Sequence, residues 1–331
     1  MFTTAAGSKH PVSHVLFHPN GTMFAVAQPN YGVTLIDRAS GNIVGTVLIP
    51  RVADYSSILF IEGGARIVAG STRGVTVCDT ATGEVLIQRG RDTLHGALLA
   101  ERQPGLIAAT LVGLRDLQIT SDESGTWLNN TPRVVQSKAV IIAISPCGRW
   151  GFGVYARVRP ALLDIGTCRV AMTVNHPYCG ISAGLPGRPM ITFAPNGERF
   201  AVCDGNDVTV FDTPSNLPDD DEDGAEPIQQ TGTAKAPKPR ALMDPIFRLG
   251  RPEGVPASDL WRPQLTFTPD ARALLIRRPR NRVQLWDVAT GSHAGEWSWR
   301  LDSLTCLAIA PDGLTAVAGA RFGHVVMWDL D

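Results

Sequence analysis

A short segment returns along this chain at a nearly constant interval. "VTLIDRASGNIV" (Val33–Val44) recurs as "VTVCDTATGEVL" (Val75–Leu86) and as "VQLWDVATGSHA" (Val283–Ala294). Partial copies are "LQITSDESGTWL", "ALLDIGTCRVAM", "VTVFDTPSN" and the terminal "VVMWDLD". A second anchor precedes most copies: "FHPNG" at Phe17, "FIEGG" at Phe60, "ISPCG" at Ile144, "FAPNG" at Phe193, "FTPDA" at Phe267 and "IAPDG" at Ile309. From this aromatic or aliphatic residue to the Asp the distance is 19 or 20 residues in all six. The positions Asp37, Asp79, Ser121, Asp164, Asp212, Asp287 and Asp329 are spaced by 42, 42, 43, 48, 75 and 42 residues. The third copy is degenerate, with Ser121 in place of Asp and "LLAERQPG" in place of the preceding anchor. A period near 42 belongs to architectures whose units stack because none can bury its apolar face alone.

Each unit reads as β. In the first, "HVLF", "TMFAVAQ", "GVTLID" and "NIVGTVLI" are short apolar or alternating runs, separated by Pro-Asn-Gly, Asn-Tyr-Gly and Ala-Ser-Gly turns. No helical periodicity interrupts them, and 33 Gly and 24 Pro among 331 residues suit many tight turns. Four short antiparallel strands per unit make a propeller blade, so seven anchors predict an all-β, seven-bladed propeller spanning 1–331 as one domain. After Asp329 the seventh unit has had only three strands. "MFTTAAGS" precedes the first strand of the first unit with no other partner, so residues near Phe2–Ala6 are expected to complete blade 7 and close the ring.

Trp286-Asp287, Trp328-Asp329 and the Pro-Asn/Asp-Gly turns give the chain a resemblance to the WD-repeat β-propeller family, over nearly its whole length outside one insertion. Strands such as "VTLIDRASGNIVGTV" are also similar to those of bacterial surface-layer and lactonase-like propellers. Two departures from the WD pattern matter. The Gly-His dipeptide is missing from its expected position in every repeat, Gly7-Ser8 standing at the first. The turns before the Trp strand, "STRG", "RRPRNR" and "ARFG", lack the family's Asp. The Trp–Ser–His–Asp network of that family cannot form, and blade packing must rest on apolar interdigitation.

Composition removes several function classes. The chain is 44% hydrophobic and 18% charged with net charge −1, and no apolar run reaches the length of a membrane span. The N-terminal stretch lacks a signal-peptide pattern, which makes the cytoplasm the expected location. The six cysteines contain no CxxC pair and the seven histidines are dispersed, so neither a disulfide framework nor a metal site is expected. No cofactor fingerprint is present.

The insertion, 214–240, opens acidic (Asp219–Asp223, Glu226), turns basic (Lys235, Lys238, Arg240) and reads as a flexible link between the third and outer strands of blade 5. "PIFRLG" (Pro245–Gly250) is the expected outer strand after it. Asp219, Asp221, Asp223 and Gly224 match part of a calcium loop. Gln230 stands where the bidentate Glu belongs, however, and Pro218 and Pro227 forbid the flanking helices. "GISAG" (Gly180–Gly184) matches a nucleophile elbow around Ser182, but "LPGRP" after it cannot begin the helix that motif requires.

The remaining candidate is arginine. Resemblance to the WD family implies that the loop between second and third strands opens on the face where such rings bind partners. That places Arg73, Arg157, Arg159, Arg277, Arg278, Arg280, Arg282 and Arg321 together, with Arg300 added by a blade-to-blade connection. Guanidinium groups match the acceptor spacing of carboxylate and phosphate. Two readings stand: charged turns that merely keep loops in water, and an anion site for an acidic or phosphorylated protein segment. Nucleic acid is not the expected partner, because no aromatic residues alternate with the arginines. The expectation is a non-enzymatic protein-interaction scaffold. The alternative, implied by the second resemblance, is a lactonase-like hydrolase using the central channel.

Overall fold

A computed structural model describes residues 2–6, 8–47, 54–71, 73–89, 98–102, 105–110, 113–122, 125–132, 140–155, 159–167, 169–174, 190–203, 207–214, 242–243, 245–250, 264–278, 281–301 and 303–330. From the centre outward, blade 1 is His14–Phe17, Met23–Gln28, Gly32–Asp37 and Ile43–Val47. Blade 2 is Tyr55–Ile61, Arg66–Ser71, Gly74–Asp79 and Val85–Arg89. Blade 3 is Leu98–Arg102, Gly105–Thr110, Gly113–Asp122 and Gly125–Pro132. Blade 4 is Val140–Ile144, Trp150–Tyr155, Arg159–Asp164 and Arg169–Val174. Blade 5 is Met190–Phe193, Arg199–Cys203, Val208–Asp212 and Phe247–Leu249. Blade 6 is Leu265–Phe267, Ala273–Arg278, Arg282–Asp287 and His293–Ser298. Blade 7 is Leu304–Ile309, Thr315–Ala320 and His324–Asp329, completed by Phe2–Ala5. Each inner strand touches those of both neighbouring blades, so the seven sheets form a closed ring.

Closure comes from the N-terminal strand, which runs antiparallel to the third strand of blade 7 with Phe2 opposite Met327 and Ala5 opposite His324. The crossing to blade 1 is pinned. Ala6 N–H donates to Gly323 O at 2.9 Å, and the buried Gln28 amide donates to Ser8 O at 3.1 Å and His10 O at 2.7 Å.

Second strands are buried on both faces, which is why they read as continuous apolar runs such as "FAVA". Apolar clusters bridge the seven interfaces. Ala25, Ala27 and Leu35 meet Phe60 and Ile67 between blades 1 and 2, and Leu275 meets Ala316 and Ala318 between blades 6 and 7. Phe152 and Leu162 meet Phe193 and Phe200 between blades 4 and 5. Small residues beside large ones let adjacent sheets interlock, as the missing polar network requires.

The repeated Asp has a local task. In "D-x-x-S/T", the carboxylate of Asp37 accepts from Ser40 N–H at 2.8 Å and Ser40 Oγ at 2.7 Å. Asp79 does the same with Thr82, Asp164 with Thr167 and Asp287 with Thr290. The glycines that follow in three of these turns, Gly41, Gly83 and Gly291, adopt φ near +70°, which an L side chain resists. The Pro-x-Gly turns at the same end also need a left-handed residue. Gly21, Gly148, Gly197 and Gly313 supply it, and in "FTPDA" it is Ala271 at φ 58°.

Hydrogen bonds from Ser40, Thr82 and Thr290 hold the carboxyls of Asp37, Asp79 and Asp287 below their ordinary range. A depressed folded value means that the caps contribute fully above the unfolded value, about 3.9, and that the contribution is lost as pH falls through the folded values. Asp287→Asn removes one titrating cap. Its unfolding midpoint is expected to fall less steeply than that of the wild type as pH drops below about 4. Superimposable acid limbs in denaturant titrations contradict this role.

Two elements differ from the sequence expectation. In blade 3, Ser121 stands in place of the Asp that caps the wider turn elsewhere. The strands instead run on to Asp122 opposite Gly125, with a two-residue link. Leu242–Met243 pairs parallel with Thr173 and Val174 and adds a fifth strand to blade 4. The expected outer strand of blade 5 is present at Phe247–Leu249, opposite Val208–Val210. The insertion lies outside the described residues except for Pro214, and so does the "GISAG" segment.

Candidate functional site

In antiparallel blades the second and outer strands end, and the third and inner strands begin, at one end of the ring, opposite the Asp-capped turns. This is the end to which the arginines were assigned. Arg73 sits in the blade 2 hairpin, half-buried, its N–H donating to Ser71 Oγ at 3.1 Å. Arg159 opens the third strand of blade 4 opposite Tyr155. Arg157 and Arg280 lie outside the described residues.

The blade 6 hairpin is tighter than "RRPRNR" implies, because its strands continue through Arg278 and resume at Arg282. Successive residues of a strand face opposite ways. Arg277 follows Leu275 toward blade 7 and lies near Cys306, where burial lowers its pKa. Arg278 follows Ile276 toward blade 5, near Cys203, and is 6% exposed. Burial lowers its pKa to about 10, so it remains a cation at neutral pH. Its Nε donates to Gln284 Oε1 at 2.7 Å. Gln284 Nε2 donates to Glu296 at 2.5 Å, and Glu296 also accepts from Arg282 Nη1 at 3.4 Å. Arg278 thus belongs to a side-chain ladder on blade 6, whereas Arg282 is exposed at the hairpin.

Arg300 and Arg321 are exposed on blade 7. The backbone of Arg321 is tied to Ser303, Arg321 N–H donating to Ser303 O at 2.9 Å, and Leu304 N–H donates to Asn281 Oδ1 at 3.2 Å. Asn281 also donates to Leu301 O, so the blade 6 hairpin holds the connection that carries Arg300. Two exposed residues here escaped the sequence reading. Phe322 is 58% exposed at the hairpin tip with the Arg321 guanidinium 5.9 Å from its ring centroid, and Lys9 stands on the crossing from blade 7 to blade 1.

Among the described residues no three His, Cys, Asp or Glu side chains gather as a metal site. No helix among them is long and apolar enough to cross a membrane. The thiols of Cys78, Cys203 and Cys306 are buried and form no disulfide, and burial pushes those of Cys78 and Cys306 up to about 12. They are inert packing groups.

No protein-family model matches the sequence, and no curated protein matches it. Among solved structures the chain is similar to the Cps50 (Swd1) β-propeller domain of Myceliophteria thermophila. The TM-score is 0.67 and the identity 15%, with all of both chains covered. At that identity the likeness is one of fold: this chain shares the propeller architecture of that domain.

Proposed function

We propose that the ring is a non-enzymatic interaction platform of WD-repeat type, whose arginine-bearing end takes an acidic or phosphorylated segment of a partner protein. The observation that carries the reading is the exposure of arginines at the hairpin end, whereas at the opposite end Arg38 pairs with Asp312, Arg66 with Glu62 and Arg199 with Asp212. Carboxylates of the Asp turns are engaged in capping, whereas Arg282, Arg300 and Arg321 stand exposed at the hairpin end. Arg73, Arg159, Arg277 and Arg278 belong to hairpins of that same end, and the sequence reading assigns Arg157 and Arg280, outside the described residues, to it as well. Loops converging from a rigid ring are where scaffolds of this kind place recognition. Buried cysteines that form no disulfide, Cys78 and Cys306 among them, are in keeping with work in a reducing compartment such as the cytoplasm.

Charge reversal at Arg73, Arg282, Arg300 and Arg321 tests the reading without touching the buried Arg278. The quadruple variant is expected to keep its unfolding midpoint within a few degrees. It is expected to lose partner capture by at least about tenfold in pull-downs, with wild-type capture itself weakening as salt rises. Capture unaffected by both changes removes the arginine end as the binding face.

A further inference from the structure

We infer that blades 7 and 1 together present an apolar anchor ringed by cations, and that its occupant is an acidic partner segment carrying one large apolar side chain among its carboxylates. The inference rests on the reading above and narrows it. Phe322 supplies the anchor. A ring left 58% exposed at a hairpin tip makes no comparable contribution to the core, and large exposed apolar groups amid polar ones mark binding surfaces. Arg321 leans over that ring at 5.9 Å, a cation–π distance that keeps the guanidinium beside the aromatic face. Arg300 and Lys9 add two further exposed cations on the neighbouring connections. Asp54, on the connection from blade 1 to blade 2, is a carboxylate of these upper loops, whereas the blade 7 hairpin Arg321–Gly323 and the described residues of the crossing that bears Lys9 carry none, so the charge around Phe322 complements an acidic chain.

What raises this patch above a scatter of surface charges is the backbone beneath it. Gly323, next to Phe322, lies so close to the N-terminal crossing that an added Cβ would sit 1.9 Å from Ser8 O. The crossing on either side of Lys9 is held by the buried Gln28 amide through Ser8 O and His10 O. The connection bearing Arg300 is bonded at Ser303 to the backbone of Arg321. Three separate stretches of chain are locked to one another, and each carries a cation or the aromatic anchor. A preformed arrangement of this kind loses little entropy on binding. Apolar anchors near the centre of a patch, with charged groups around them, carry most of the affinity in such interfaces.

A peptide library displayed on phage, selected in parallel on the intact wild type and on Phe322→Ala, tests the inference. Phe322 is a surface residue, so the variant is expected to melt with the wild type. The wild type is expected to enrich acidic segments with a large apolar residue at one position. On Phe322→Ala the acidic preference stays and the apolar preference relaxes. Synthetic copies of the wild-type winners are expected to bind Phe322→Ala about tenfold more weakly. Acidic enrichment with no apolar preference on the wild type overturns the anchor and leaves the arginine reading standing. Basic or uncharged winners, or no enrichment, overturn both. A phosphoserine version that outbinds the carboxylate version by more than about tenfold overturns the choice of carboxylate as the ligand group.

Discussion

Truncating Phe200 to alanine is expected to lower the unfolding free energy by about 3–5 kcal/mol, the range for large aromatic-to-alanine changes in cores. Phe200 is fully buried in the second strand of blade 5. Its ring centroid lies 5.1 Å from that of Phe211, 5.7 Å from that of Phe193 and 5.7 Å from that of Phe152 in blade 4. Removing it deprives three rings of a partner and leaves a cavity that rigid sheets on either side cannot close. The loss is large for a domain whose total stability is of the order of 5–15 kcal/mol. It is also the sharpest check on how the blades cohere. A ring held by a polar network would yield locally, whereas one held by interlocked apolar faces loses cooperative stability. Denaturant unfolding followed by tryptophan fluorescence measures it, with Val44→Ala, at an exposed side chain, as the control expected to stay within about 0.5 kcal/mol. A loss below about 1 kcal/mol for Phe200→Ala contradicts the packing account.

Deleting residues 1–8 is expected to be as severe. It removes the strand opposite His324–Met327, exposes the edge of blade 7 and takes away Ala6, which is fully buried. It also leaves the Gln28 amide, itself fully buried, without Ser8 O. The Gln28 amide keeps His10 O, but the hydrogen bonds lost along the ladder to blade 7, at about 0.5–1.5 kcal/mol each, bring the total to several kcal/mol. An exposed edge of this kind pairs with other chains, so the truncated protein is expected to aggregate as well as to melt earlier. Gly323→Ala reaches the same contact from the other side without shortening the chain. The new methyl would meet Ser8 O at a backbone φ of 80°. Thermal unfolding of both variants alongside the wild type is the measurement, and unchanged midpoints contradict closure by the N-terminal strand.

The ring was legible because its punctuation is chemical. Asp37, Asp79 and Asp287 each need a hydroxyl three residues on and a Gly after it, so the turn is written into a short sequence that survives repetition. The aromatic or aliphatic anchors mark inner strands for the same reason: Phe17, Phe60 and Phe267 end or line them. The unpaired third strand of blade 7 likewise pointed to Phe2–Ala5. The parallel strand Leu242–Met243 left no such mark, since two residues carry no periodicity and their partners lie in another blade.

The candidate site was half legible. Four arginines in close succession read as loop because charge is rare in strands. Pairing instead carries the strands to Arg278 and Arg282, and this sends Arg277 and Arg278 to opposite faces. Lys9 and Phe322 gave no signal, because only the folded crossing brings the N-terminal segment against the blade 7 hairpin.

Hydrogen–deuterium exchange on the ring alone and in complex with the partner recovered from its native source tests the central claim most directly. Slowed exchange is predicted in the hairpins around Arg73, Arg282 and Arg321 and in the connections bearing Lys9 and Arg300, with the turns at Asp37, Asp79 and Asp287 unchanged. Protection confined to those Asp turns, or to the outer strands, would contradict the assignment of the arginine-bearing end as the face that binds.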